Sequence, residues 1–270
     1  KMMLVEVILG KKTSDKALAV ALDYVRAIKK TPIVVNDTRG FYVNRCVLRY
    51  MSEAYNMLIE GVPPAMIENA AKMAGMPVGP LALNDETAID LSQKILKQTL
   101  NDLGEKAVDP RHVDLVNTMV DKHGRHGRKN GKGFYDYPQK PAQKHLWPEL
   151  KTLYPQQDPD TIDFAELKER FLYVIALEAA RVMGEGIVTD PREADVGSIL
   201  AFGFAPYTGG TLSFIDGIGA EAFVARARQL QKKYGTQFKP PRVLTDMAKM
   251  GETFYGRFNP YPELDKADAA

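Results

Sequence analysis

The chain has 270 residues, 45% of them hydrophobic, which is enough for a sizeable core in one or two domains. Its formal charge of +2 gives no basic field of the kind that draws a protein to nucleic acid. One cysteine, Cys46, excludes an intrachain disulfide and points to a reducing compartment, and no apolar run nears the ~20 residues a membrane-spanning helix needs.

Leu4-Val5-Glu6-Val7-Ile8 reads as a strand closed by Gly10, with Leu4, Glu6 and Ile8 on one face. A carboxylate between two aliphatic neighbours is costly unless it is paired or solvated, so Glu6 either sits near a sheet end with its head in water or has a partner. Thr13 or Ser14 can cap the next segment, where Ala17, Val20, Ala21, Tyr24, Val25 and Ile28 fall at helical spacing. Pro32 to Val35 is a second strand, ended by Asn36-Asp37. The βαβ edge stands alone, and the chain contains no Gly-x-Gly-x-x-Gly. Residues 1–37 therefore read as the last piece of a domain that begins outside this sequence, an expectation strengthened by the strand-like start at Lys1.

From Gly40 the pattern is helical. Val43, Val47, Tyr50, Met51, Ala54, Met57 and Leu58 keep a 3.6 period up to Gly61, and Pro63-Pro64 opens a second helix towards Gly75. Pro77 and Pro80 mark a turn, one helix is expected from about Asn84 to Leu103, and another over residues 110–123. The next stretch, residues 122–133, sets Lys122, Arg125, Arg128, Lys129 and Lys132 among four glycines. It reads either as a phosphate-holding loop or as a solvated basic turn, and its spacing is not that of a P-loop. His123 and His126 lack further ligands, so no metal site is expected.

Residues 138–162, rich in Pro, Gln and Lys and holding the sole tryptophan, Trp147, read as a linker. Asp163 has capping-box spacing to Glu166 ahead of a long helix through Leu167, Phe171, Val174, Ile175, Leu177 and Met183. The apolar run Ile199 to Phe204 leads to the turn at Gly209-Gly210. Helices near Ala220 to Tyr234 and Arg242 to Met250 precede a Pro/Tyr-rich end.

The chain also carries one pattern twice. Arg45, Glu53, Glu60 and Gly61 recur as Arg170, Glu178, Glu185 and Gly186 at a constant offset of 125, which widens to 131 between Asp85 and Asp216. A fixed offset over unlike residue types marks a duplicated unit, with Asn44 of the first copy replaced by Glu169 in the second.

Leu4-Val5-Glu6-Val7-Ile8, Thr31-Pro32, Asn36-Asp37, Gly40-Phe41, Val43-Asn44-Arg45, Gly79-Pro80 and Gly131-x-Gly133-Phe134-Tyr135-x-Tyr137 together resemble the 3-hydroxyacyl-CoA dehydrogenase family over nearly the whole chain. The second helical copy further resembles the multifunctional α subunit of a fatty-acid β-oxidation complex. The resemblance implies a mainly α fold of two tandem helical domains preceded by a βαβ remnant of a Rossmann domain. The expected divisions are 1–37 as the end of the NAD-binding domain, 38–137 and 163–270 as the helical copies, and 138–162 as the linker. By the same likeness the second copy replaces the dimer partner that single-copy enzymes use.

The implied activity is NAD-dependent oxidation of (S)-3-hydroxyacyl-CoA. A histidine twelve positions before the strand glutamate takes the hydroxyl proton, Glu6 orients that histidine, and Asn44 holds substrate. That histidine and the NAD site would precede Lys1, so the 270 residues alone are expected to be inactive. The implied parent also carries enoyl-CoA hydratase, pairs with a thiolase subunit and works in the cytoplasm of a bacterial-type cell. Arg39 stands where many members have proline, and Leu200 where some have a tyrosine against the acyl-CoA. Two alternatives remain: a helical assembly module with Glu6 and Asn44 as relics, and a related NAD-dependent hydroxy-acid dehydrogenase.

Overall fold

The computed structural model describes residues 2–260, which are mainly helical; the Pro/Tyr-rich end past residue 260 lies outside the described residues. None of the described helices is long and apolar enough to cross a membrane. The chain divides into two compact units, Lys1–Arg49 with Leu172–Ala270, and Tyr50–Phe171.

The first unit starts with strand β1 (Leu4–Leu9), helix α1 (Asp15–Ala27) and strand β2 (Thr31–Asn36). The strands pair in parallel from Leu4 opposite Thr31 to Leu9 opposite Asn36, the pairing that a helical crossover permits. Ser14 caps α1 by accepting from the amide of Ala17. Leu4, Ile33 and Val35 are buried. The chain then turns into helix α2 (Val43–Ile59), whose residues up to Arg49 belong to this unit.

The second unit continues α2 from Tyr50 and adds α3 (Pro64–Met73), α4 (Pro80–Thr87), α5 (Ile89–Leu103) and α6 (Pro110–Asn117). One helix expected from about Asn84 to Leu103 is two. Ala88 adopts φ 74° between α4 and α5, and the Ile89 amide donates to the His126 carbonyl at 3.0 Å instead of continuing the helix. Residues 138–162, read from composition as a linker, are folded. They form β4 (His145–Leu146), which pairs antiparallel with β3 (Tyr135–Asp136), and the short helix α7 (Leu150–Leu153), with Trp147 and Leu150 buried. Trp147 covers the Arg125 guanidinium at 4.1 Å from its ring centre, a contact composition does not reveal.

Helix α8 (Phe164–Gly184) opens in the second unit, where the Asp163 carboxylate accepts from the amides of Ala165 and Glu166, and ends in the first. The first unit is completed by α9 (Pro191–Phe202), α10 (Thr211–Ile218), α11 (Ala220–Tyr234), α12 (Arg242–Met250) and α13 (Phe254–Arg257). Helix α9 lies against β2: a Cβ on Gly197 would come within 2.9 Å of Ile33 Cδ1, so a larger residue here would displace the Ile33 side chain. The Val34 amide donates to Glu193 at 3.3 Å, and Asn36 Nδ2 to the Gly186 carbonyl at 2.7 Å. Tyr173, Phe204, Phe214 and Phe223 fill the core between α8, α10 and α11.

Candidate active site

Glu6 sits partly buried in the middle of β1, neither in free water nor in a sheet interior. Its Oε1 accepts from the amides of Tyr42 at 3.0 Å and Val43 at 3.1 Å. These are the cap and first positions of α2, because the Tyr42 carbonyl accepts the bond from the Cys46 amide. A helix start leaves such amides unpaired, and a carboxylate there also meets the positive end of the helix dipole. Glu6 therefore caps a helix 36 residues further along the chain. Burial pushes its carboxyl above the ordinary value, and the two amide bonds oppose that shift.

The turn that makes this contact is unusual. Gly40 has φ 78° and Phe41 φ 46°, so two consecutive residues lie in the left-handed region before Tyr42. Glycine adopts that region freely; a bulky residue there is held by its surroundings. Asn44 follows, exposed in the first turn of α2. The structure thus brings the two predicted residues together through the backbone, since Glu6 is bonded to the amide of the residue before Asn44. Sequence reasoning missed the capping role, which joins residues far apart and carries no local motif.

The basic glycine loop resolves differently. Arg125 is buried, donating to the carbonyls of Gly133 at 2.6 Å and Tyr135 at 3.2 Å and pairing with Asp136 at 2.5 Å. Arg128 pairs with Glu86 at 2.6 Å and Lys129 with Asp90 at 2.5 Å. Three of the five cations noted there are therefore engaged with carboxylates. Two of its four glycines admit a close approach of the chain to Asp85. A Cβ on Gly133 would lie 1.9 Å from Asp85 Oδ1, and one on Gly127 2.5 Å from the Asp85 carbonyl oxygen. Asp85 in turn accepts from the amides of Phe134 and Tyr135 at 2.7 and 2.9 Å and from the Tyr137 hydroxyl at 3.0 Å. The loop is clamped around a carboxylate. His123 packs edge-on against Trp147, and the described residues contain no group of three metal ligands.

The first unit contains a similar clamp. Asp216 accepts from the amides of Phe254 and Tyr255 at 2.9 and 3.2 Å, as Asp85 does from Phe134 and Tyr135. Asp195 accepts from the amides of Leu212 and Ser213 and from the Tyr255 hydroxyl. In the second unit Glu68 likewise accepts from the amides of Leu81 and Ala82 and from the Tyr135 hydroxyl.

A dinucleotide's pyrophosphate is held by a glycine-rich turn between a strand and a helix. The turn from β1 to α1 offers Gly10 alone, followed by Lys11-Lys12-Thr13, so these residues do not fit that task.

Residues 1–38 match the 3-hydroxyacyl-CoA dehydrogenase NAD binding domain, and residues 40–137 match the 3-hydroxyacyl-CoA dehydrogenase C-terminal domain. Fatty acid oxidation complex subunit alpha from Shewanella loihica is 40% identical over 259 residues, covering 94% of this chain and 36% of that protein. The Shewanella amazonensis protein of the same name is also 40% identical, again over 94% of this chain and 36% of its own length. The chain thus spans about a third of these relatives. Among solved structures, 3-hydroxybutyryl-CoA dehydrogenase from Escherichia coli superposes with a TM-score of 0.71 at 21% identity, over 93% of this chain and 68% of that one. The dehydrogenase part of multifunctional enzyme 1 from C. elegans gives 0.64 at 23%, over 93% and 56%. At these identities the two structures support the fold.

Proposed function

The chain belongs to the 3-hydroxyacyl-CoA dehydrogenase family, and on that premise we propose that it forms the substrate side of an NAD-dependent (S)-3-hydroxyacyl-CoA dehydrogenase within a multifunctional β-oxidation α subunit. The observation that carries this reading is the Glu6 carboxylate, fixed by the helix that begins Val43-Asn44-Arg45. One oxygen holds the two amides, and the other is left to orient a neighbouring imidazole, which is how a carboxylate supports a catalytic base. Asn44 lies exposed beside it to bind the substrate's oxygen. NAD supplies the hydride acceptor when bound, and the β1–α1 turn is not the part that would hold its pyrophosphate.

The proposal extends to the duplication. Arg45 pairs with Glu178 and Glu185 in the first unit, and Arg170 with Glu53 and Glu60 in the second, so each copy's arginine takes the other copy's two glutamates. Such reciprocity is the signature of a self-complementary two-fold contact, and it supports a second copy that replaces a dimer partner. The relatives' name supports a place in a fatty-acid oxidation complex, while the acyl-CoA substrate, a partner of the thiolase class, a cytoplasmic setting and an enoyl-CoA hydratase region in the same polypeptide follow from the resemblance.

The test is to purify the natural gene product that carries these residues and incubate it with (S)-3-hydroxybutyryl-CoA and NAD. Formation of 3-ketobutyryl-CoA in step with NADH is expected. No ketoacyl product from several chain lengths contradicts the assignment and favours the assembly-module alternative, for which the reciprocal Arg–Glu pairs are the supporting observation.

A further inference from the structure

We propose that Tyr42 is a positioning residue for the reaction, through which helices α9 and α10 set the orientation of the Glu6 carboxylate. The inference rests on the dehydrogenase reading above and adds a residue to it. The Tyr42 side chain is fully buried, and its hydroxyl donates to the Ala194 carbonyl of α9 at 2.9 Å. With its proton so committed, the hydroxyl accepts from Thr211 Oγ1, at the first residue of α10, at 3.0 Å. Their full burial makes both bonds expensive to lose, since an unpaired buried hydroxyl or carbonyl costs its full desolvation.

The backbone of the same residue is the one that holds Glu6. Its amide and the next donate to Glu6 Oε1, and the two left-handed residues before it, Gly40 and Phe41, keep their conformation only if the turn is tied down at its far end. Tyr42 is that tie. Thr211 is itself fully buried, and its amide donates to Ser198 Oγ at 3.3 Å, so the anchor is continuous with the α9–α10 packing. Residues of the second sequence copy thereby act on a carboxylate in the first strand without touching substrate.

The test uses the natural gene product. Tyr42→Phe and Thr211→Val are each made alone and in a Glu6→Gln background, and kcat and KM for (S)-3-hydroxybutyryl-CoA oxidation are read separately. Tyr42→Phe is expected to lower kcat about tenfold and Thr211→Val about threefold, with KM for NAD held within about twofold. Because both act through Glu6, neither should reduce kcat further once Glu6 is glutamine, which a general loss of packing would still do. Unchanged kcat in both variants, or losses that add fully to that of Glu6→Gln, would overturn the proposal. Thr211→Val decides the matter if Tyr42→Phe fails to fold. A wild-type protein without dehydrogenase activity defeats the underlying reading and the proposal together, whereas an active wild type with unaltered variants defeats the proposal alone.

Discussion

Arg170 reaches Glu53 at 2.6 Å with 1% and 0% of their side chains exposed, so a full ion pair is closed off from water inside the second unit. The pair is extended at both ends. Arg170 also binds Glu60 at 2.6 Å, and Glu53 accepts from Asn56, whose amide oxygen meets His112 Nε2 at 2.7 Å. Because the Asn56 nitrogen is committed to Glu53, its oxygen must accept, which puts the His112 proton on Nε2.

Removing Arg170 should leave Glu53 buried without its countercharge. Arg170→Met is expected to destabilise the second unit by about 3–5 kcal/mol, whereas Arg170→Met with Glu53→Leu should recover most of that loss, since the isolated charge and not the missing pair is the main cost. Urea unfolding of the three proteins checks this, and a double variant as unstable as the single one would contradict it.

The matching glutamates should respond differently to loss of charge. Burial raises the Glu53 carboxyl despite the opposing pull of Arg170. Burial acts on Glu178 too, but Arg49, Arg181 and Arg45 outweigh it and hold that carboxyl below its ordinary value. Glu178→Gln is therefore expected to cost more stability than Glu53→Gln, by about 1 kcal/mol or more. Thermal unfolding of both variants in one buffer reads the difference, and the reverse order would refute the assignment.

Asp85 is surrounded by donors alone, two amides and a phenol. Asn at this position turns one acceptor into a donor facing a donor, so Asp85→Asn should cost about 1–3 kcal/mol. Gly133→Ala should cost at least as much, because its methyl group would occupy the site of the Asp85 oxygen. Hydrogen exchange at the amides of Phe134 and Tyr135 should accelerate in both, and protection as in the wild type would argue against the clamp.

Burial depresses the His112 imidazole below its ordinary value. The unfolded chain then binds a proton that the folded chain refuses, so this group's contribution to stability is intact above about pH 6.5 and is lost as pH falls towards the folded value. Between pH 7.5 and 5.5, roughly one pH unit either side of the ordinary imidazole value of about 6.5, the wild type should lose more unfolding free energy than His112→Gln, in which other groups titrate alike. Equal losses would show that His112 is not held neutral.

How much of this was legible beforehand depended on the reach of each interaction. Helices α11 and α12 were read at their observed bounds because Gly219, Gly235, Pro241 and Gly251 punctuate them locally. The parallel pairing of β1 and β2 followed from a short helix between two β-branched runs. The break at Ala88 was invisible, since neither Gly nor Pro marks it and the deciding bond comes from His126. Glu6 was identified as out of place on its strand, but its partners lie at Tyr42 and Val43, beyond any local pattern. The basic loop misled in one respect. Its glycines suggested an anion, and the group that Gly127 and Gly133 approach is the protein's own Asp85.

Under the proposed function, Glu6 and Asn44 serve NAD-dependent oxidation of a 3-hydroxyacyl-CoA. Steady-state kcat of the natural gene product with (S)-3-hydroxybutyryl-CoA, measured for wild type, Glu6→Gln and Asn44→Ala, tests it most directly. Losses of at least about tenfold to a hundredfold in each variant, with folding intact, are the predicted result. An active wild type whose turnover neither substitution changes would contradict it and leave both residues as parts of the scaffold.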